Sequence, residues 1–354
     1  MQQRSILIFE QSIKSPTTRL NYKSNLERFL KFAKIRDYEA LVSMSEDQLQ
    51  ELVENYVIDL KGSVNPNSIP CMMSGVKHFF EMNRKRLYWK IIQKLYPEKI
   101  KRAGYNSWST EQVRKMLEYN TSKRNKAIIH FMASTGTRVG VFDYDLSMKR
   151  LRDMEDGCKA VLIYAGEPDE YWTFLTPEAA SALEEYFKKR RKDGEILNPD
   201  TPIFTHVYPR QRKRGLPIKR GSVISIIVRT VQRAEIERKR VNRNFDIQID
   251  HGFRKRFNTI LKLENEVNSN IAEKIMGHSV SIPLDNTYFT PTLDRIFAEF
   301  KKAIQELTID PTIRQKALIT KQKEEISELQ KERLKSEQLE DRIKRLEQIY
   351  EQRN

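Results

Sequence analysis

Four short stretches of this chain carry side chains that could act together on a phosphate. "STGTRVG" (134–140) holds Arg138 just past a glycine, and "HGFRKRF" (251–257) holds His251 and Arg254. "MGHS" (276–279) holds His278, and "NTYFTPT" (286–292) holds Tyr288 ten residues further on. A guanidinium can grip phosphate oxygens through paired, charge-assisted hydrogen bonds, and it stays charged at any working pH. Histidine can donate to phosphate and exchange protons near neutrality. A tyrosine hydroxyl in that field can attack phosphorus and hold one product as an ester. Such an exchange keeps the bond energy, so rejoining needs neither ATP nor metal, and no cofactor or metal site is expected. His251 and Arg254, at i and i+3 of a helix, share one face and can point at one phosphate. Lys255 and Arg256 are then expected to turn outward.

Singly, each of these residues has an ordinary structural explanation. Arg138 could cap a helix or pair with Asp143, His251 could be a satisfied structural histidine, and His278 could be a turn residue. Tyr288 is one of 14 tyrosines. It is the combination that points to chemistry, and the rest of the chain has to position it.

The bulk composition suits a polyanionic partner. Lys and Arg exceed Asp and Glu to give a net charge of +16, with a pI near 9.6. That excess repels itself in a compact fold unless an anion is bound, with nucleic acid the first candidate and an anionic membrane surface the second. The basic residues are spread over several elements rather than gathered on one amphipathic helix, which disfavours the membrane. With 32% charged residues and no run of eighteen apolar ones, no membrane span is expected. Two cysteines, Cys71 and Cys158, are too few for a disulfide framework or a cysteine zinc site. The expectation is a soluble protein of the cytoplasm, associated with the nucleoid.

The elements follow from periodicity and punctuation. Over residues 1–98 the pattern predicts four helices, the first at 15–35 with an apolar face of Leu20, Leu26, Phe29, Leu30 and Ala33. The second, 45–62, opens on Ser45 with acidic residues behind it and closes at Gly62. Two more run through "SIPCMMSGVKHFFEMN" and "LYWKIIQKLYP". Residues 99–108 lack periodicity and are expected to be a basic linker. From 109 to 310 the pattern is again mainly helical, including a long helix through 221–241. One convincing β-hairpin, "KAVLIYAGEPDEYWTFLT" (159–176), interrupts it. Residues 311–354 contain neither glycine nor proline after Pro311 and predict a long helix. Leu339, Ile343, Leu346 and Tyr350 form a seam there, which Glu332 and Ser336 interrupt upstream, so a coiled coil and a solitary solvated helix both remain open.

In this order and at these distances, the five residues resemble the catalytic set of the tyrosine recombinases, the phage integrase family. Type IB topoisomerases share that chemistry. The resemblance covers residues 109–300, the first hundred residues resemble the family's core-binding domain, and "GHSVSIPLDNTYFTPT" resembles archaeal members. It implies a mainly α (α+β) protein: a four-helix core-binding bundle, a mostly helical catalytic domain with a small antiparallel sheet, and a long C-terminal helix. It further implies site-specific recombination of double-stranded DNA through Tyr288, with a 3′-phosphotyrosine and a free 5′-hydroxyl. Four protomers would sit on two DNA sites, with C-terminal segments holding neighbours. Two other readings stay open: DNA relaxation of the topoisomerase kind, and a DNA-binding protein that has lost its chemistry.

The chain departs from the family's pattern twice. Val141 stands where an acidic residue usually follows the first arginine, with only Asp143 nearby. The hairpin turn, where the family places the lysine that protonates the departing 5′-oxygen, reads "AGEPDE"; Lys159 is the nearest substitute. Backbone-phosphate contacts are expected from Lys99, Lys101, Arg102, Arg210, Arg212, Lys213, Arg214, Lys219, Arg220, Lys255 and Arg256.

Overall fold

A computed structural model describes residues 3–100, 104–206, 215–241, 244–264, 267–278 and 289–351. Two compact units make up the chain, Met1–Arg102 and Ala103–Asn354.

The first unit is all helical. Its described helices are α1 (Arg4–Gln11), α2 (Pro16–Ala33), α3 (Tyr38–Ser43), α4 (Glu46–Ser63), α5 (Ile69–Met82) and α6 (Trp89–Lys94). Ser15 caps α2 by accepting from the Thr18 N–H, with Pro16 in the first turn, and Ser45 with Gln48 forms a capping box on α4. The short α1 and α3 join the four helices that periodicity predicts. Two details differ from expectation. Leu20 is exposed, because the buried stripe of α2 is set by Leu26, Phe29 and Leu30. Gly62 lies inside the last turn of α4 instead of closing it. The core is aromatic, with Phe79 edge-on to both Phe9 and Phe80, and Phe29 edge-on to Phe80.

The second unit begins with α7 (Thr110–Glu118) and α8 (Lys123–Thr135), followed by β1 (Leu151–Asp153), β2 (Lys159–Ile163) and β3 (Tyr171–Leu175). These strands form one antiparallel sheet in the order β1-β2-β3, so a third strand extends the expected hairpin. After it come α9 (Pro177–Lys192), α10 (Arg220–Arg233), the pair β4 (Arg240–Val241) and β5 (Asn244–Phe245), α11 (His251–Thr259), α12 (Ser269–Ile275), α13 (Leu293–Leu307) and α14 (Pro311–Glu351). The helix expected over 221–241 stops at Arg233. There Ile236 N–H bonds back to Val231 O while Glu235 takes a left-handed conformation, φ 48°, the Schellman way of ending a helix. Ile236 then packs on the core, which rewards the stop.

Residues 104–108 are not a linker. Asn106 N–H bonds to Asp246 O, Trp108 N–H to Gly252 O and the Trp108 indole N–H to Ile249 O. Trp108 is wholly buried in the core of the second unit. A basic, aperiodic stretch can still be an anchor when it carries one large aromatic.

The sheet divides this unit into two cores. Alternation along β2 and β3 sends Val161, Ile163 and Leu175 into the main core and Ala160 and Phe174 into a second one. Helix α11 does the same, with Phe253 in the first core and Phe257 in the second. The seam between the cores is where Arg254 lies.

Candidate active site

Two left-handed glycines build the site. Gly136, φ 57°, ends α8 in the αL conformation, and a Cβ there would sit 2.5 Å from the Phe257 ring. Gly277, φ 59°, follows α12, and a Cβ there would sit 2.3 Å from the Tyr171 ring. Only glycine satisfies both the backbone angle and the space. The first turn delivers Arg138 two residues on; the second delivers His278 immediately.

Arg254 ties the two turns together. Its guanidinium is buried and donates to Gly136 O at 2.8 Å and to Met276 O at 2.7 Å. The Tyr171 hydroxyl on β3 also hydrogen-bonds it, and the Arg138 charge lies close enough to act on it. Burial and then Arg138 lower the Arg254 pKa, although an arginine stays cationic. Burial pushes the Tyr171 hydroxyl up to about 12, so it remains a neutral partner.

Arg138 itself is exposed and pairs with no carboxylate among the described residues. Asp143, its sequence-level alternative partner, is taken by Arg220, with Nε to Oδ2 at 3.0 Å. Val141, where an acid would ordinarily stand, is buried.

His278 is half-buried, and its Nδ1 lies 2.6 Å from a Glu273 carboxylate oxygen. Burial and the Arg254 charge lower its pKa against the pull of Glu273, which favours the neutral ring. Burial alone would raise the Glu273 pKa, but hydrogen bonds from Lys262 and His278 outweigh it and hold it down. A carboxylate on one ring nitrogen orients the imidazole and leaves the other nitrogen for a ligand. His251 is exposed at the start of α11, one turn before Arg254.

Arg138, Arg254 and His278 are therefore brought together, while Tyr288 lies outside the described residues. Lys101, Arg102, Arg210, Arg212, Lys213 and Arg214 lie outside them as well. Lys99 is exposed. Lys219 reaches Asp143 O at 3.5 Å, and Lys255 lies 6.0 Å over the Tyr105 ring.

Two readings need correction. Arg256 does not face outward: it is buried and donates to Thr110 Oγ1, Glu306 O and Leu307 O, because its place on α11 points it at the junction of α13 and α14. Lys159 is bound at 2.5 Å to Asp153 and 3.2 Å to Glu184. It also pairs across the sheet with Leu175, at the end of the hairpin away from the turn.

Sequence reasoning missed Tyr164, Tyr171 and Glu273. The two tyrosines bracket the hairpin turn as "YAGEPDEY", an aromatic at each end of the segment that lacks a lysine, and that was the available signal. Glu273 could be found only once α12 was known to turn back at Gly277. Among the described residues no three His, Cys, Asp or Glu side chains gather as a metal-ligating group, and no helix is long and apolar enough to cross a membrane.

Comparison with known proteins assigns the chain to a family. The profile of the phage integrase family matches residues 107–292, and the chain belongs to that family, the tyrosine recombinases. Among solved structures it is similar to XerH site-specific recombinase bound to a palindromic difH substrate, with 19% identity over 80% of this chain and 76% of that one and a TM-score of 0.51. It is likewise similar to a lambda integrase dimer bound to a COC′ core site, with 14% identity, 81% and 94% coverage and a TM-score of 0.51. The Tn1549 transposon integrase in complex with transposon right end DNA gives 13% identity, 85% and 99% coverage and the same score of 0.51. At such identities these likenesses establish the fold. No curated protein matches the chain.

Proposed function

We propose that this tyrosine recombinase cleaves and rejoins double-stranded DNA at specific sites with Tyr288 as its nucleophile. Arg138 and Arg254 stabilise the charge that builds on the nonbridging oxygens. His251 accepts the proton of the attacking hydroxyl, and His278, whose Nδ1–H goes to Glu273, turns Nε2 to the same phosphate and donates to it when the ring is protonated. The phosphorus is left on Tyr288 as a 3′-phosphotyrosyl ester beside a free 5′-hydroxyl. The observation that carries this reading is the Arg254 guanidinium, which spans the turns that present Arg138 and His278.

Two such DNA sites are held by four protomers in the cytoplasm. The α14 helix, with Ile319, Ile326, Leu329, Leu339 and Ile343 exposed, supplies contacts between protomers, as a coiled coil. Deleting residues 315–354 should then weaken assembly on DNA; unchanged assembly and activity would remove that part of the proposal. Lys99, Lys219 and Lys255, with the basic stretches at 101–102 and 210–214, add salt-dependent affinity for backbone phosphates.

The test is covalent trapping. Nicked duplexes drawn from the DNA flanking its gene are incubated with the protein or with Tyr288→Phe, without metal or ATP, and run on denaturing gels. An adduct that requires Tyr288 is expected. Salt-sensitive binding with no adduct on any duplex would overturn the proposal.

A further inference from the structure

The alkoxide that departs when a phosphodiester is cleaved is a poor leaving group and needs a proton as the bond breaks. The hairpin turn that would bring an ammonium reads Tyr164 to Glu170 without a lysine. Lys159 stands about 17 Å away along the strand, at ~3.3 Å per residue, and is held by two carboxylates.

What opens the turn is a tyrosine in an unusual conformation. Tyr164 has φ 55°, a left-handed angle that a bulky side chain adopts only where its surroundings enforce it. Here the surroundings are aromatic: its ring stands edge-on to Tyr144, centroids 4.8 Å apart, and 6.2 Å from Tyr171. The hydroxyl reaches the turn that carries Arg138. A Cβ on Gly140, two residues past Arg138, would lie 3.6 Å from the Tyr164 oxygen, an ordinary van der Waals distance, so the phenol tip lies against that turn. The groups that act on that tip are Arg138, Tyr144, Arg254 and Asp169, with no lysine among them.

We propose that the Tyr164 hydroxyl is the general acid that protonates the departing 5′-oxygen. The idea rests on the cleavage reaction proposed above. The Tyr288 oxygen forms a bond to phosphorus and gives its proton to His251. The P–O5′ bond breaks, its electron pair goes to O5′, and the Tyr164 proton moves onto that oxygen. The resulting phenolate faces Arg138 and Arg254, and religation returns the proton to it.

The acidity is suitable. A phenol and an ammonium have nearly the same ordinary pKa, about 10 and 10.4. Burial raises that of Tyr164 more than Arg138 and Arg254 lower it, so at neutral pH the proton is present to be given.

The experiment compares the duplex that traps best with the same duplex carrying a bridging 5′-sulfur at the scissile bond. A thiolate leaves without needing a proton. Tyr164→Phe should slow cleavage of the oxygen substrate ~100-fold or more, within the range for losing a general acid. It should leave the sulfur substrate within a few-fold of wild type, which also shows the variant to be folded. Tyr164→Lys should recover much of the lost rate on oxygen. Equal slowing of both substrates would make Tyr164 a positioning residue, and no slowing would place the proton donor elsewhere; either overturns the proposal. Wild-type protein that forms no adduct on either duplex, or an adduct that survives Tyr288→Phe, would instead sink the cleavage reading and this inference with it.

Discussion

Arg254 and Arg256 stand two residues apart on one helix, both buried and both donating to backbone carbonyls, yet they serve different ends. Arg254 bonds two turns that carry Arg138 and His278, and its neighbours are a second guanidinium and neutral phenols. Arg256 bonds Thr110 and the carbonyls where α13 meets α14. Close by, Glu178 accepts the N–H groups of Ile309 and Asp310 and feels the Arg256 charge. A cation facing a carboxylate is compensated within the fold. Two guanidiniums facing one another are compensated only when an anion arrives. The electrostatic surroundings, more than the residue type or its burial, separate a site from a strut.

This contrast can be broken by mutation. Arg254→Met should cost most, reducing cleavage about 10²–10³-fold, the usual loss for one preorganised donor to a developing anion. Single-turnover trapping would measure it, and a variant that cleaves at the wild-type rate would erase the distinction. The histidines offer a parallel test. His130 is buried, mainly by that burial lowered to about 4, with the Lys126 charge adding to the effect, whereas His278 is only half-buried and held by Glu273. The unfolded chain binds a proton on His130 below about pH 6.5 and the folded chain resists it. Stability is therefore present above that pH and falls as pH drops toward 4, by roughly 3 kcal/mol. Urea midpoints from pH 7 to 4.5 should drop less steeply for His130→Gln.

Arg256→Met should lower stability by roughly 2 kcal/mol, since it leaves buried acceptors unpaired. Its cleavage rate per folded molecule should hold, and loss of cleavage without loss of stability would contradict the strut. The smallest effect is expected from Lys159→Gln. Its carboxylate partners are partly exposed, which limits the stability change to about 1 kcal/mol or less, and trapping should proceed nearly unchanged. A large cleavage defect in that variant would reopen Lys159 as the proton donor.

The site was legible in unequal parts. Arg138, Arg254 and His278, which the structure brings together, could be picked out because each lies in a short motif whose spacing survives in the linear chain. The outward role assigned to Arg256 failed because an i, i+2 offset says only that two residues leave a helix in different directions, not what lies there. Tyr164 and Tyr171 went unseen because they are ordinary hairpin residues until Gly277 folds back onto Tyr171. Trp108 was hidden inside a stretch whose composition reads as linker, though its indole is the anchor for the start of α11.

By itself, then, the sequence determined the helical bundle, the hairpin, the long terminal helix and the candidates for phosphate chemistry, because capping residues, periodicity and motif spacing are local properties. Only the tertiary structure decided which cations are committed to carbonyls and carboxylates and which meet one another at the seam between two cores. Those assignments depend on partners more than a hundred residues apart, as Arg254 is from Gly136 and Arg256 from Thr110. Charge pairing across such distances is set by packing, and it leaves no trace in the neighbouring residues.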